Sequence, residues 1–322
     1  MKHILILALA FFCLTANAQN QVVRRQGTKH EASASTQKKT NNATTSKKSA
    51  TSKKTASPKK TTTPKRTTST AKRTTSSPQQ QPRHTINASY SNGVLTVNGV
   101  RYEMMMVYAG TFTMGATSEM QNPYSDEKPA HQVTLTNNYR MGKTEVTQAL
   151  WEAVMGSNPS HFKGDNKPVE CVSWNDCQTF ISKLKAATGK NFRLPTEAEW
   201  EFAARGGNNS RHYQYSGSNT LNDVGWYTDN SSNTTHDVAS KQANELGLYD
   251  MSGNVWEWCS DWYGSYSSNT QYDPAGPTSG SYRVFRGGSW YYGARGCRSS
   301  SRGDYAPDCR SYNLGLRLAL SE

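Results

Sequence analysis

The sequence contains no apolar run long enough to cross a bilayer as a permanent helix. Its best stretch, ILILALAFFCL at residues 4–14, is roughly half the length a span requires. Histidine pairs are also missing. The seven histidines, at 3, 30, 84, 131, 161, 212 and 236, never stand three to five residues apart as in a zinc site. No H-E-x-x-H, C-x-x-C, G-x-S-x-G or P-loop pattern occurs, which removes the motif-based routes to metalloprotease, dithiol, serine-hydrolase and nucleotide chemistry. Acids are almost absent between residues 19 and 85, where Glu31 stands against 16 Lys and Arg. Setting these and Lys2 aside leaves 20 of the 37 Lys and Arg and 23 of the 24 acids from residue 86 onward, so the net charge of +13 resides in the N-terminal region.

That region reads in two parts. Lys2, the short apolar run and Ala16-Asn17-Ala18 predict a secretory signal peptide over residues 1–18, cleaved before Gln19. Cys13 does not suit a lipoprotein anchor, because Phe11 and Phe12 stand where small residues are needed. The protein is therefore expected to be secreted or periplasmic. Residues 19–85, with repeats such as TSKKTASPKKTTTPKRTTSTAKRTTSSP, have almost nothing apolar to bury and are expected to form a disordered basic tether. Two readings of it stand open: a cationic contact to an anionic envelope surface, weakened by salt, or a solvated spacer that needs no ligand. An exported chain has no use for nucleic acid, and residues 86–322 are expected to make a single domain.

Five cysteines follow the signal peptide: Cys171, Cys177, Cys259, Cys297 and Cys309. The number is odd, so at least one stays free or pairs outside the chain, and one or two disulfides of unreadable connectivity are expected in an oxidising compartment.

Asn98-Gly99 between two apolar-rich runs predicts a hairpin, and AGTFTMG and HQVTLTNNYRMG read as further strands. Three short helices are expected. The first starts at Thr147 and ends at Gly156, with Val146 and Trp151 placed as a hydrophobic staple. Asn175 caps the second, with Gln178 at the capping-box position and Gly189 as the stop; Thr196 and Glu199 box the third, which Gly206 and Gly207 end. All three read as core elements that carry no site. Beyond Gly206 the chain is rich in Gly, Ser, Asn and Tyr, predicting short strands and long ordered loops.

Two segments carry the chemistry. In GLYDMSGNVWEWCSDWY, Asp250 and Glu257 bracket a tight glycine turn, a hard-oxygen set suited to Ca²⁺; the same carboxylates could instead cap turns or pair with arginines. Past it, Arg283, Arg286, Arg295, Arg298, Arg302, Arg310 and Arg317 interleave with tyrosines and Trp290. They could line a peptide or glycan groove, or stitch loops to carboxylates.

Together GKTEVTQALWEAVMG, PVECVSW, RLPTEAEWEFAARGG, GLYDMSGNVWEW, RVFRGGSW and NLGLRLAL resemble, in order, the formylglycine-generating enzyme family, also called sulfatase-modifying factors. The resemblance implies an α+β formylglycine-generating-enzyme fold of the C-type-lectin-like superfamily, low in regular secondary structure. It implies oxidation of a cysteine in a C-x-P-x-R-like sulfatase peptide, using O₂ and a Cu(I) held by two cysteines. It also implies calcium on Asp250, Gly253, Val255 and Glu257, the glycine and valine acting through their carbonyls. Ser289 matches the serine beside the catalytic centre and Cys297 the second copper cysteine, but Tyr292 stands where the first should be. A phenol is a poor substitute for a soft thiolate. The expectation is a non-catalytic envelope module with a groove around Trp256, Ser289, Trp290, Tyr292 and Arg295, taking a protein, peptide or glycan. The alternatives are a copper-dependent sulfatase-maturing oxidase and a calcium-dependent glycan or peptide binder.

Overall fold

The computed structural model describes residues 84–322; the expected signal peptide and nearly all of the expected tether lie outside them. Two tight turns begin the fold. Asn92-Gly93 and Asn98-Gly99 take positive φ values of 50°, 77°, 48° and 86°, the conformation that a two-residue hairpin demands. They link β1 (Ala88–Ser91), β2 (Val94–Val97) and β3 (Val100–Val107) into an antiparallel ribbon. Thr85 and His84 already belong to the domain: Asn98 donates to the Thr85 carbonyl, and the His84 ring bonds the Ala153 carbonyl.

β4 (Gly110–Met114), β5 (His131–Leu135) and β6 (Tyr139–Gly142) follow. After the helices come β7 (Phe192–Arg193), β8 (Trp256–Trp262), β9 (Gln271–Tyr272), β10 (Arg283–Arg286), β11 (Arg302–Tyr305), β12 (Leu314–Leu316) and β13 (Ala319–Ser321). They form three sheets, ordered β1-β2-β3-β6-β13-β7, β11-β10-β8-β12 and β4-β5-β9. The C-terminal β13 sits between β6 and β7, so the last residues close the largest sheet.

Helix α1 (Gln148–Met155) is capped by the Thr147 hydroxyl and stopped by Gly156 at φ 82°, as the sequence predicts. Val146 and Trp151 bury in one cluster, where the staple was expected. α2 (Trp174–Thr188) starts earlier than predicted. Ser173 and Asp176, not Asn175 and Gln178, make its capping box, because an ionised carboxylate satisfies the helix N-terminus better than an amide. α3 (Glu197–Ala204) has the expected Thr196 and Glu199 box, and a one-turn α4 spans Leu221–Val224.

Side chains alternate along β8. Trp256 and Trp258 face the first core with α1, α2 and Phe285, while Cys259 faces a second core built on α3 and Trp200. No helix among the described residues is long and apolar enough to cross a membrane.

The arginines settle as stitches. Arg286 binds Glu201, Arg298 binds Glu127 at 2.6 Å, Arg302 binds Glu197 at 2.6 Å and Arg317 binds Glu257 at 2.6 Å, all buried; Arg310 binds Asp176 at 2.7 Å nearer the surface. α3 is therefore not a plain core helix. Its Glu197 and Glu201 anchor the C-terminal strands in a region short of regular structure.

Candidate functional site

β10 runs into Gly287 and Gly288, both at positive φ, then Ser289 and a 3₁₀ turn at Ala294–Cys297. The backbone passes directly over the thiol: a Cβ on Gly288 would lie 2.5 Å from Cys297 Sγ. Cys297 is fully buried in a small cluster with Tyr215, Leu221 and Val224. That burial pushes its thiol up to about 12, although the Ser289 backbone amide and Arg298 pull the other way. In the metal-free protein the thiol form is therefore strongly favoured at neutral pH, which leaves little thiolate, the nucleophilic form. Ser289 is also buried; its hydroxyl lies 3.4 Å from both Asn313 Nδ2 and the Tyr291 amide.

Tyr292 packs edge-on against Trp256, ring centroids 5.2 Å apart, and against the first core. It is the residue that the resemblance sets at the first copper position. Cys177 and Cys259 are locked in the two larger cores, and Cys171, Cys177, Cys259 and Cys297 are all free thiols, so no two of these four are joined. With one soft ligand, the pair Tyr292 and Cys297 does not fit Cu(I).

The expected groove is not open as drawn. Trp256 is 3% and Trp290 4% exposed. Arg295 donates to the Asn122 carbonyl at 2.7 Å and stacks on Tyr124 at 3.8 Å, committing it to a loop. What reaches the surface is an aromatic patch beside that position. Tyr291, 42% exposed, and Tyr312 both pack on Trp290, at 5.4 and 5.5 Å, and Phe162 meets Trp290 edge-on at 5.3 Å. His161 lies 6.2 Å from Tyr312. Tyr291 is adjacent in sequence to the expected residues, but nothing in the sequence links His161 and Phe162 to them.

At the implied calcium position, Glu257 is taken. Arg317 and the Trp200 indole, at 2.6 Å each, hold both of its oxygens. Asp250 differs: Oδ2 accepts from the Ala239 amide at 2.7 Å, while the buried Oδ1 has no donor. Glu145, missed by sequence reasoning, completes a buried acidic trio, accepting from Val255 N and Asn254 Nδ2. Burial raises the Glu145 and Asp250 carboxyls, and the trio's mutual repulsion adds to it. The carboxylate oxygen of Asp250 is of the kind calcium takes, but no group of three or more His, Cys, Asp or Glu side chains among the described residues is arranged to hold a metal ion. Glu257 is neutralised by Arg317.

Residues 96–322 match the sulfatase-modifying factor enzyme 1-like domain. The chain is 32% identical over 287 residues to a protein named chaperone protein LppX from Paenibacillus barcinonensis, covering 74% of this chain and 95% of that one. It is 32% identical over 286 residues to the formylglycine-generating enzyme of Mus musculus, covering 67% and 74%. Among solved structures, Treponema denticola variable protein 1 superposes with a TM-score of 0.65 at 37% identity, over 71% of this chain and 98% of that one. With the ordered motifs, the fold and the family match in agreement, the chain belongs to the sulfatase-modifying factor, or formylglycine-generating enzyme, family.

Proposed function

We propose that the folded domain is a non-catalytic binding module of the cell envelope, exported by residues 1–18 and held on the basic segment 19–85. One observation supports this reading: Tyr292, set by the resemblance at the first thiol position, packs its ring on Trp256, while Cys297 is a buried thiol whose pKa burial raises. The surface offered to a protein, peptide or glycan is the aromatic patch of Tyr291, Tyr312, Trp290 and His161, suited to stacking. Two relatives bear names other than that of the oxidase, a chaperone and a variable protein. The test is to incubate the purified protein with Cu(I), O₂ and a C-x-P-x-R peptide and to look for the aldehyde by mass spectrometry. No product is expected; turnover that Cys297→Ala abolishes sinks the proposal in favour of sulfatase maturation.

A calcium-dependent binder is the second reading, favoured by the donorless Asp250 Oδ1. It predicts a higher melting temperature in calcium than in EDTA, lost in Asp250→Ala. Identical melting in both solutions rejects it.

A further inference from the structure

At the end of β8, a cavity of about 480 Å³ opens between α3 and the long segment 263–277. Its lining shares no residue with the Tyr291 patch. Its lining includes Asp261, His131, Tyr266, Glu197 and Arg302.

The charged groups there divide sharply. Arg302 offers no free charge to an anion: it grips Glu197 through Nε and Nη2, at 2.7 and 2.6 Å, and its Nη1 donates to the Gly264 carbonyl at 2.9 Å. Glu197 is spent likewise, and also accepts from Tyr266 Oη at 3.2 Å. Asp261, 3% exposed, is satisfied on one oxygen alone: Oδ2 accepts from Glu197 N at 3.0 Å and from Ser260 Oγ at 2.9 Å. No donor among the described residues bonds Oδ1. His131, 5% exposed, bonds the Pro129 carbonyl through Nδ1 at 3.1 Å, so Nδ1 carries a proton and Nε2 is an acceptor in the neutral ring.

Two nearly buried side chains with unused acceptors, and no lining cation free of an ion pair, thus line a cavity walled by the Tyr266 ring and by prolines 274 and 277. Among the described residues Asp261 forms no ion pair within 4 Å, with Arg283 its nearby cation beyond that distance, and an ammonium would supply both a donor for Oδ1 and a paired charge. We propose that this cavity binds a small organic ammonium group, anchored on Asp261 Oδ1 and His131 Nε2 with its alkyl portion against Tyr266. Lysine side chains and free aliphatic amines share that chemistry. Independently of the geometry, burial, with Glu197 adding to it, raises the Asp261 carboxyl to about 7. The charged groups facing Asp261 are Glu197, Glu199 and Arg283, with His131 across the cavity; a bound cation favours the ionised form, so protons compete with it and affinity falls as pH drops below 7.

The experiment is calorimetric titration of the mature protein with cadaverine, with Nα-acetyl-lysine amide, with neutral pentanol and with pentanoate. Saturable binding of at least one of the amines, and of neither pentanol nor pentanoate, is expected. The two amines separate a free-amine ligand from a protein lysine. Affinity should fall approaching tenfold per pH unit below 7 in the wild-type protein, a readout that needs no variant. Asp261→Asn should weaken binding at least tenfold, and Ala275→Trp at the exposed rim should block it with folding intact. No saturable amine binding, equal binding of pentanol or pentanoate, or affinity indifferent to pH and to Asp261→Asn would overturn the proposal. Formylglycine formation bears only on the Tyr292 and Cys297 reading, so the two can fail separately.

Discussion

Arg317 Nη2 lies 2.6 Å from Glu257 Oε1, with both side chains fully buried. The guanidinium also donates to the Gly142 and Tyr249 carbonyls, tying β6, β8 and the C-terminal strands together. Because Glu145 and Asp250 crowd the same site, this is the charge that offsets the trio's mutual repulsion. Arg317→Met should cost about 3–5 kcal/mol, the usual penalty for orphaning a buried charge. In urea denaturation, Arg317→Met with Glu257→Gln should be more stable than Arg317→Met alone. Strict additivity of the two single changes would refute the coupling.

Asp261 makes stability depend on pH with a sign opposite to that of an ion-paired carboxylate. Its folded carboxyl titrates at about 7, above the unfolded value near 3.9, so the folded state holds the extra proton between them. Ionisation therefore destabilises the fold, fully above pH 7 and not at all below about 4. The upper bound is of the order of 4 kcal/mol. Asp261→Asn, which keeps the shape and removes the charge, should gain stability over wild type at pH 8, and the gain should shrink toward zero near pH 4. A variant advantage that grows on acidification contradicts this account.

Local signals in the sequence were legible where the chemistry is local. The Asn98-Gly99 hairpin, the Thr147 cap and the Thr196 and Glu199 box are each decided within a few residues, and all form; the same signal at Asn92-Gly93 was passed over. The second helix cap was misplaced by preferring an amide two residues too late, where Asp176 could serve Ser173. The arginines show the limit. Their spacing fits a groove or a set of stitches equally, and only the long-range return of Glu127, Glu197, Glu201 and Glu257 decides for stitches. His161 and Phe162 joined the Tyr291 patch, and His131 the Asp261 cavity, by the same kind of distant contact.

Cys297 should resist alkylation in the native state. With its thiol at about 12, the thiolate fraction at pH 7.5 is on the order of 10³-fold below that of a free cysteine, before burial slows access further. Iodoacetamide labelling read by peptide mass spectrometry should leave Cys297 unmodified in native protein and label it in urea. Rapid native labelling at this position would mean an activated thiol and would reopen the oxidase reading.

Gly288 and Gly293 flank the same loop, and the structure predicts opposite outcomes for them. Gly288 sits at φ 79°, and a Cβ there meets Cys297 Sγ at 2.5 Å, Cys297 Cα at 2.8 Å and the Gly296 carbonyl at 2.9 Å. Gly288→Ala combines left-handed strain with overpacking against backbone and should cost about 2–5 kcal/mol. Cys297→Ala should relieve only part of that, since the Cα and carbonyl contacts remain. Gly293 has φ −69° and nothing within 4 Å of its added Cβ. Gly293→Ala should therefore be neutral or stabilise by up to about 1 kcal/mol, by restricting the unfolded chain. Chemical denaturation of the two variants side by side decides it: equal losses would mean that the backbone over Cys297 is not fixed as the structure has it.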